Sequence, residues 1–543
     1  MGEYRRQMKL TPDMLPLHRP TDIVTAAIDG ATPAPLCAAA TSGRSTGSRA
    51  SLWRRCVLAS AKHWAVIFAG AVVVVWLLVA LLTQTALMGD NVEQSNWAHS
   101  FEWGYYKHPP LPTWLLIAAT RVLGPVWWLT DVLAAVCLLG TALATYALAL
   151  RLTTRRNAQL ALLLWGLHLT LTWRVSLYNH NTVLMLLCAA LAWAVVSATQ
   201  QHSMRHWMMA GACAGLALLA KYQAAILILV LLAALAQGRY LAHPLHRQGV
   251  LRAALIAALI FSPHAVWLVA NDFLPMHYAS HQLPKTWSLD GQVATISFAL
   301  QQMRFFWPSI AAVLVCIAFI PASARSSRMN SSARNGGHGP HMVWIRYLAL
   351  GPLAAVLIIG LAGTRLQNHW GMQTLQFACL GFAVWLGRGS SVRPRQFLVV
   401  ALVLHLLLVA TVVRNSLYVQ EFGWQGQADK NYPARELAHE ALADWKLASS
   451  CRLQYVVGPS FEAGTISVFS GQSPRVLEGA SYIASPWIDK ADLQRQGGLY
   501  VAYAQAELPP TALRQGSMVV TKSEDSKRPQ TIYWGVMPPA RPC

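Results

Sequence analysis

The chain has 543 residues, of which 55% are hydrophobic and only 12% are charged, and its formal net charge is +21. This composition excludes an ordinary soluble domain and is typical of an integral membrane protein, because apolar runs of about 20 residues recur from Trp64 to Val413. The basic residues are concentrated in short loops between these runs, so the positive charge reflects the positive-inside rule and not a nucleic-acid-binding surface.

Residues 1–62 are rich in Ala, Thr, Ser, Pro and Arg without apolar periodicity, which predicts a disordered cytoplasmic tail. The apolar run that follows is longer than the core of a signal peptide, so we expect it to be retained as an anchor. Basic clusters between the later runs predict eleven spans, with the N-terminus in the cytoplasm and the C-terminus outside. The predicted spans are 64–86, 126–150, 160–178, 182–200, 207–219, 222–237, 252–270, 296–320, 343–362, 371–387 and 396–413.

Acidic residues are rare in the predicted membrane domain, residues 63–413. The predicted topology places the six acids of this domain on the outer side: Asp90, Glu93, Glu102, Asp131, Asp272 and Asp290. An acid at the centre of a membrane helix costs about 2.5–3.5 kcal/mol even on lenient insertion scales, so such residues are rarely incidental. Three of them fall in residues 87–115, directly after the first span, which indicates an outer-loop site.

This outer loop, residues 87–115, is too polar to span a membrane and too apolar to be a free loop. Asp90, Glu93, Trp97 and Phe101 follow helical spacing, which predicts a short interfacial helix with acids and aromatic rings on one face. The aromatic rings are typical of anchors at a membrane–water interface. Two interpretations stay open for the acids: they take part in chemistry at the lipid surface, or they only cap and solvate the helix.

Several cations lie on the predicted outer side, against the positive-inside trend. They are Lys107, His108, Lys221, Arg365 and His369. For Lys221, which lies in an otherwise apolar hairpin, a functional role is favoured. For Arg365, snorkelling to lipid headgroups is an equal alternative to binding a substrate. The spacing of histidines and cysteines supports no metal site, so no cofactor is assigned and a divalent metal is left open.

After Arg414 the composition changes, and residues 414–543 are predicted to form a small periplasmic α/β domain that covers the membrane site or helps to bind an acceptor. Apolar residues at helical spacing after Pro433 predict a helix. Strand-like runs follow at 453–457, 499–503, 518–521 and 531–534.

Five segments in register carry a family resemblance. They are GDNVEQSNWAHSFEWGYYKHPPLPTWL (89–115), YNHNTVLMLL (178–187), GLALLAKYQAA (215–225), SPHAVWLVANDF (262–273) and GTRLQNHWGMQ (363–373). Together they resemble the bacterial family-39-type glycosyltransferases, relatives of the protein O-mannosyltransferases and of the aminoarabinose transferase that modifies lipid A. The resemblance covers roughly residues 62–420. It implies an α-helical polytopic membrane fold of the GT-C type, an active site on the outer face and a lipid-phosphate-linked sugar as donor.

The resemblance also implies roles for individual residues. Asp90 matches the catalytic carboxylate of the family, and Lys221 matches a basic residue that holds donor phosphate. Lys107 stands where the aminoarabinose-transferase branch has an acid, so the second catalytic acid stays open between Glu93 and Glu102. The expected donor-phosphate residues are Lys107, His108, Lys221, Arg365 and His369. The expected substrate-pocket residues are Glu102, Tyr106, Tyr178, Asn179, His180 and Asn181.

The predicted function is transfer of a sugar from a polyprenyl-phosphate donor to a glycolipid, glycan or protein acceptor on the periplasmic face of a bacterial inner membrane. One alternative is a polymerase or ligase of lipid-linked glycans, which uses a diphosphate-linked donor. Another is a lipid or solute transporter, although transporters usually show internal repeats and interrupted helices, and no repeat is found in this sequence. The expected partners are the lipid donor, the acceptor and the membrane, and no nucleic acid.

Overall fold

The computed structural model describes residues 46–282, 289–318, 340–364, 366, 371–389, 392–422, 432–521 and 529–541. The chain divides into two compact units, Met1–Ala61 and Lys62–Cys543. Apart from the part of the first helix that precedes Lys62, the elements described below belong to the second unit.

Helices dominate the described chain as far as Phe422. They are α1 (Thr46–Thr83), α2 (Gly89–Trp97), α3 (Leu111–Leu123), α4 (Leu129–Leu152), α5 (Arg155–Gly166), α6 (His180–Gln200), α7 (Met204–Ala220), α8 (Ala224–Gln237), α9 (Pro244–Ala270), α10 (Leu274–Gln282), α11 (Leu289–Arg304), α12 (Trp307–Ala318), α13 (Pro340–Leu361), α14 (Gly371–Thr374), α15 (Ala378–Gly389) and α16 (Pro394–Phe422). Among the described residues, six helices are long and apolar enough to cross a membrane, or seven if the pair bent by 59° between α11 and α12 forms one span. The count of eleven spans therefore stays a prediction.

Several predicted boundaries differ from the structure. The predicted span 296–320 is interrupted between α11 and α12. Helix α1 already begins at Thr46, inside the segment predicted as a disordered tail, whereas residues 1–45 lie outside the described part. The predicted span 160–178 is helical only to Gly166, and turns follow because backbone groups there find partners outside a helix, such as the Phe305 carbonyl. The predicted span 371–387 is broken between α14 and α15.

Helix α6 lies at the centre of the helical part, since 78% of its most apolar window is buried. On one side of it, α7 approaches α9 closely through Gly211 and Gly215. A Cβ atom at Gly211 would lie 2.5 Å from the Ala253 carbonyl oxygen, and one at Gly215 would lie 3.0 Å from Ala257 Cα. Small residues at this four-residue spacing allow two membrane helices to pack backbone against backbone.

The C-terminal part is built on a five-stranded sheet of order β2-β1-β3-β5-β4. Its strands are β1 (Tyr455–Gly458), β2 (Arg475–Glu478), β3 (Gly498–Ala502), β4 (Arg514–Thr521) and β5 (Pro529–Met537). Strand β1 pairs in parallel with β2 and β3, whereas β5 is antiparallel to β3 and β4. The helices of this part are α17 (Ala434–Ala448), α18 (Ser460–Phe469) and α19 (Lys490–Gln496). Helix α17 lies where the apolar spacing predicts a helix, whereas β2 was not predicted.

One disulfide is expected in this part, because Cys451 and Cys543 are the only cysteines in the predicted exported segment, where oxidation is favoured. Cys451 is disulfide-bonded in the structure, and its predicted partner Cys543 lies outside the described residues. Thiol labelling of the denatured chain should therefore detect two more thiols after reduction than before. An unchanged number of labels would show that the pair is not formed.

Candidate active site

A cavity of about 650 Å³ opens between α2, the segment before α6, the α7–α8 turn, α10 and α13. Eight of the residues predicted for the site line it: Asp90, Glu93, Lys107, His108, Asn179, His180, Asn181 and Lys221. They come from three segments far apart in the sequence. The fold thus brings Asp90, one of the two candidates for the second catalytic acid (Glu93) and three of the predicted donor-phosphate residues to one cavity.

Asp90 is exposed to this cavity from the first turn of α2. Its Oδ2 atom accepts a hydrogen bond of 2.7 Å from the Asn179 amide nitrogen. Asn179 is the N-cap of α6, and its side-chain oxygen accepts from the Thr182 backbone N–H at 3.0 Å. Because the capping bond uses the amide oxygen, the amide nitrogen is directed at Asp90. The carboxylate is therefore oriented by another helix, and it does not cap its own.

Asn91, the next residue of α2, connects this helix to α4 and to the segment before α6 through side-chain hydrogen bonds. Its side-chain nitrogen donates to Asp131 Oδ1 at 3.0 Å and to the Ser176 carbonyl at 2.7 Å, while its oxygen accepts from the Tyr178 backbone N–H at 2.8 Å. Asn91 and Asp131 are both fully buried. Asp131, one of the rare acids, thus supports the site through Asn91 and does not line the cavity itself.

Lys221 lies at the turn between α7 and α8, where its Nζ donates to Asn181 Oδ1 at 2.6 Å. Gln373 donates to the same oxygen at 2.9 Å, so the amide of Asn181 is held from two sides. Burial lowers the pKa of Lys221 to about 8, and the neighbouring Asp90 carboxylate opposes this shift. A poorly hydrated ammonium group that still carries its proton at neutral pH is suited to binding an anion.

Glu93 forms an ion pair with Lys107 at the edge of the cavity. Burial raises the pKa of Glu93 to about 7; the Lys107 cation lowers it, whereas the carboxylates of Glu478 and Asp90 raise it further. The ammonium of Lys107 also lies 5.0 Å from the ring centroid of Tyr106 and 5.4 Å from that of Tyr278. The site therefore contains a carboxyl group that changes its charge near neutral pH.

The other predicted site residues are placed differently. Glu102 does not line the cavity, and it accepts a hydrogen bond from Ser100 on the loop. Tyr178 is buried and donates to the Pro112 carbonyl, so it supports the loop. Tyr106 contacts Lys107 from outside the cavity lining. Arg365 and His369 lie outside the described residues.

Two aromatic residues of the outer loop, which were expected at the membrane–water interface, are also placed differently. Trp97 and Tyr105 are not partly exposed side chains at a membrane–water interface, since their exposed fractions are 0% and 2%. The two rings stack on one another at 5.0 Å. The C-terminal part covers Trp97, because Glu478 accepts a hydrogen bond from its indole nitrogen. Helix α2 also ends at Trp97, so Phe101 does not continue its face.

The sequence analysis missed several residues that line the cavity, among them Arg174, Tyr222, Gln223 and Tyr278. Arg174 lies in the turns that follow α5, within a stretch predicted to be continuous membrane helix. A lone arginine near the outer end of that stretch was the signal that could have found it, since a charge is costly inside a span. Arg174 adds a cation to the lysines around the cavity.

A second polar cluster lies away from the cavity. His202, His243 and His246 have ligand atoms within 4.8 Å of one another, and none of them lines the cavity. The Nδ1 atoms of His243 and His246 accept hydrogen bonds from Leu245 N–H and from the Trp207 indole. A neutral imidazole that accepts at Nδ1 carries its proton on Nε2, which leaves no lone pair for a metal. At two of the three histidines an ion would therefore have to displace a hydrogen bond at Nδ1.

The chain is similar to known proteins in sequence and in fold. Residues 107–267 match the model of the dolichyl-phosphate-mannose-protein mannosyltransferase family. The crystal structure of ArnT from Cupriavidus metallidurans bound to undecaprenyl phosphate is similar, with 13% identity, a TM-score of 0.55 and coverage of 87% of this chain and 98% of that chain. The family match confirms the predicted resemblance for residues 107–267.

The apo structure of the same ArnT gives 14% identity, a TM-score of 0.54 and coverage of 88% and 98%. The crystal structure of the Archaeoglobus fulgidus oligosaccharyltransferase in the apo form gives 13% identity, coverage of 76% and 65% and a lower TM-score of 0.40. No curated protein matches the sequence. At these identities the ArnT structures show the fold, which is of the GT-C type, and its apolar helices agree with a multi-pass membrane protein.

Proposed function

We propose that this chain is a glycosyltransferase that moves a sugar from a polyprenyl-phosphate donor to an acceptor hydroxyl at the outer face of a bacterial inner membrane. The acceptor is a glycolipid, a glycan or a protein. The observation that carries the proposal is the cavity in which the carboxylates of Asp90 and Glu93 lie together with the cations of Lys107, Arg174 and Lys221. The family match and the ArnT structure with undecaprenyl phosphate support the same donor class.

The residues suit a single displacement at the anomeric carbon. The acceptor oxygen forms a bond to C1 of the sugar while the bond between C1 and the phosphate oxygen breaks, and the configuration inverts. Asp90 takes the proton of the acceptor hydroxyl as general base. The lipid phosphate leaves with the bonding electrons, and the cations of Lys221, Lys107 and Arg174 stabilise its charge.

The donor class separates this proposal from a polymerase or ligase. The purified protein in lipid nanodiscs should bind undecaprenyl phosphate and use a sugar linked to it, in preference to a sugar linked through a diphosphate. Isothermal titration with the two unglycosylated lipids, followed by transfer assays with both donors, measures this preference. A preference for the diphosphate lipids in both measurements would favour the polymerase or ligase instead.

The shifted pKa of Glu93 predicts a pH dependence. Because this carboxyl group ionises near pH 7, we expect the transfer rate to rise as pH increases through about 7, when the negative charge of Glu93 becomes available beside Lys107 and Asp90. Glu93→Gln should remove this limb of the profile, since Gln cannot ionise. The measurement is the pH profile of kcat/KM between pH 5 and 9. A limb that persists in the variant would assign the titration to another group.

A further inference from the structure

Helix α18 of the C-terminal part lies directly on α2, the helix that carries Asp90 and Glu93. The two helices are in close contact at Gly464. A Cβ atom there would overlap Val92 Cγ1 and lie 2.5 Å from Asn96 Oδ1. Val92 and Asn96 are both fully buried, so neither has room to move aside. The C-terminal part is therefore closely packed against α2. A larger residue at position 464 would push α18 and α2 apart.

Next to this contact, Glu478 at the end of β2 is buried and accepts three side-chain hydrogen bonds. Its Oε1 atom accepts from Asn96 Nδ2 and from Ser460 Oγ, both at 2.8 Å, and its Oε2 atom accepts from Trp97 Nε1 at 3.2 Å. A carboxylate, which only accepts when ionised, complements three donors. Two of these donors belong to the last turn of α2, so one side chain of the C-terminal part holds the end of that helix.

The bond to Trp97 extends the contact to the cavity. The Trp97 ring lies edge-on to His180, with ring centroids 5.9 Å apart, and 6.3 Å from the ring of His108. His108 and His180 both line the cavity. A change in the orientation of the Trp97 indole would therefore alter its contacts with two of the residues that line the cavity.

We propose that Glu478 is a positioning residue for the transfer reaction, which ties the C-terminal part to α2 through Asn96 and Trp97 and so holds Asp90 and Glu93 at the cavity. This inference rests on the proposed function. It gives the C-terminal part a role in the reaction, although Glu478 does not line the cavity. The negative charge of Glu478 also acts on Glu93 and raises its pKa.

The test compares E478Q with E507Q, which changes an exposed acid of the same C-terminal part. Full-length protein in nanodiscs is used throughout. In E478Q the amide nitrogen of the new side chain is a donor, and it faces another donor on Trp97 or Asn96. Amide hydrogen exchange in residues 91–98 should therefore become about tenfold faster. The transfer rate should fall about 10- to 100-fold, as misplacement of catalytic groups does. Its pH midpoint should move to lower pH, because removal of a negative charge makes Glu93 easier to ionise.

E507Q should match the wild type in all three measurements. W97F is the second variant, which removes one donor and keeps the charge of Glu478, so exchange in residues 91–98 should increase while the pH midpoint stays. If E478Q does not fold, W97F decides the positioning role by exchange alone. Wild-type exchange in residues 91–98 in whichever variant folds would overturn the inference. If the wild-type protein transfers no sugar, the proposed function fails, whereas the exchange measurement still tests the contact.

Discussion

Asp90→Asn is expected to lower the rate of sugar transfer by about 10²–10⁴-fold, which corresponds to about 3–5 kcal/mol of lost transition-state stabilisation. The variant should fold normally, because the Asn oxygen can still accept the hydrogen bond from the Asn179 amide. Only the ability to take a proton from the acceptor hydroxyl is lost. Binding of the lipid donor should change little, since the cations of the cavity stay in place.

The matched control is Asp272→Asn, because Asp272 is an exposed acid of the same membrane domain and does not line the cavity. Single-turnover kinetics, with the enzyme in excess over the donor, measures the chemical step for both variants. We expect the wild-type rate for Asp272→Asn. Near-normal turnover in purified, folded Asp90→Asn would remove Asp90 from the role of base.

Lys221→Ala is expected to weaken binding of the lipid phosphate by about 10- to 100-fold, since hydrogen bonds to charged groups contribute about 1.5–3 kcal/mol. Affinity for the acceptor should change less, because the role proposed for the Lys221 ammonium is to bind the donor phosphate. Lys221→Arg keeps the positive charge and should retain more of the donor affinity than the alanine variant does.

Arg205→Ala is the matched control. Arg205 is an exposed cation of α7, the helix that ends just before Lys221, and it does not line the cavity. Titration of undecaprenyl phosphate into the nanodisc-bound protein measures donor affinity for each variant. Loss of affinity in Arg205→Ala equal to that in Lys221→Ala would point to general attraction of the phosphate. Unchanged affinity in Lys221→Ala would show that the residue does not hold the donor.

The parts of the fold that were predictable are those with a strong local signal. Apolar length located α4, α6 and α9, and helical spacing after Pro433 located α17. The exact breaks after Gly166 and after Thr374 were not predictable, because the decisive hydrogen-bond partners lie elsewhere in the chain. Gln373 and Gln376, for example, bond to Asn181 and to the Met185 carbonyl on α6.

The same distinction applies to the site. Asp90 and Lys221 could be identified because an isolated charge in an apolar stretch needs an explanation. The roles of Asn91 and Glu478 could not, since an amide or an acid in a polar segment is unremarkable until the fold brings its partners to it. Trp97 was predicted as an interface anchor because aromatic composition cannot show that a distant helix, α18, adjoins the loop that carries it.

The central claim is that a sugar is transferred from a lipid monophosphate to an acceptor in the cavity that Asp90 and Lys221 line. Mass spectrometry of the envelope glycans, glycolipids and lipid-linked sugars measures this in cells that contain the wild-type chain or the Asp90→Asn chain at equal abundance. We predict that the variant cells lack one sugar on an envelope molecule and accumulate the same sugar on undecaprenyl phosphate. Identical glycans and lipid-linked sugars in the two kinds of cell would contradict the claim.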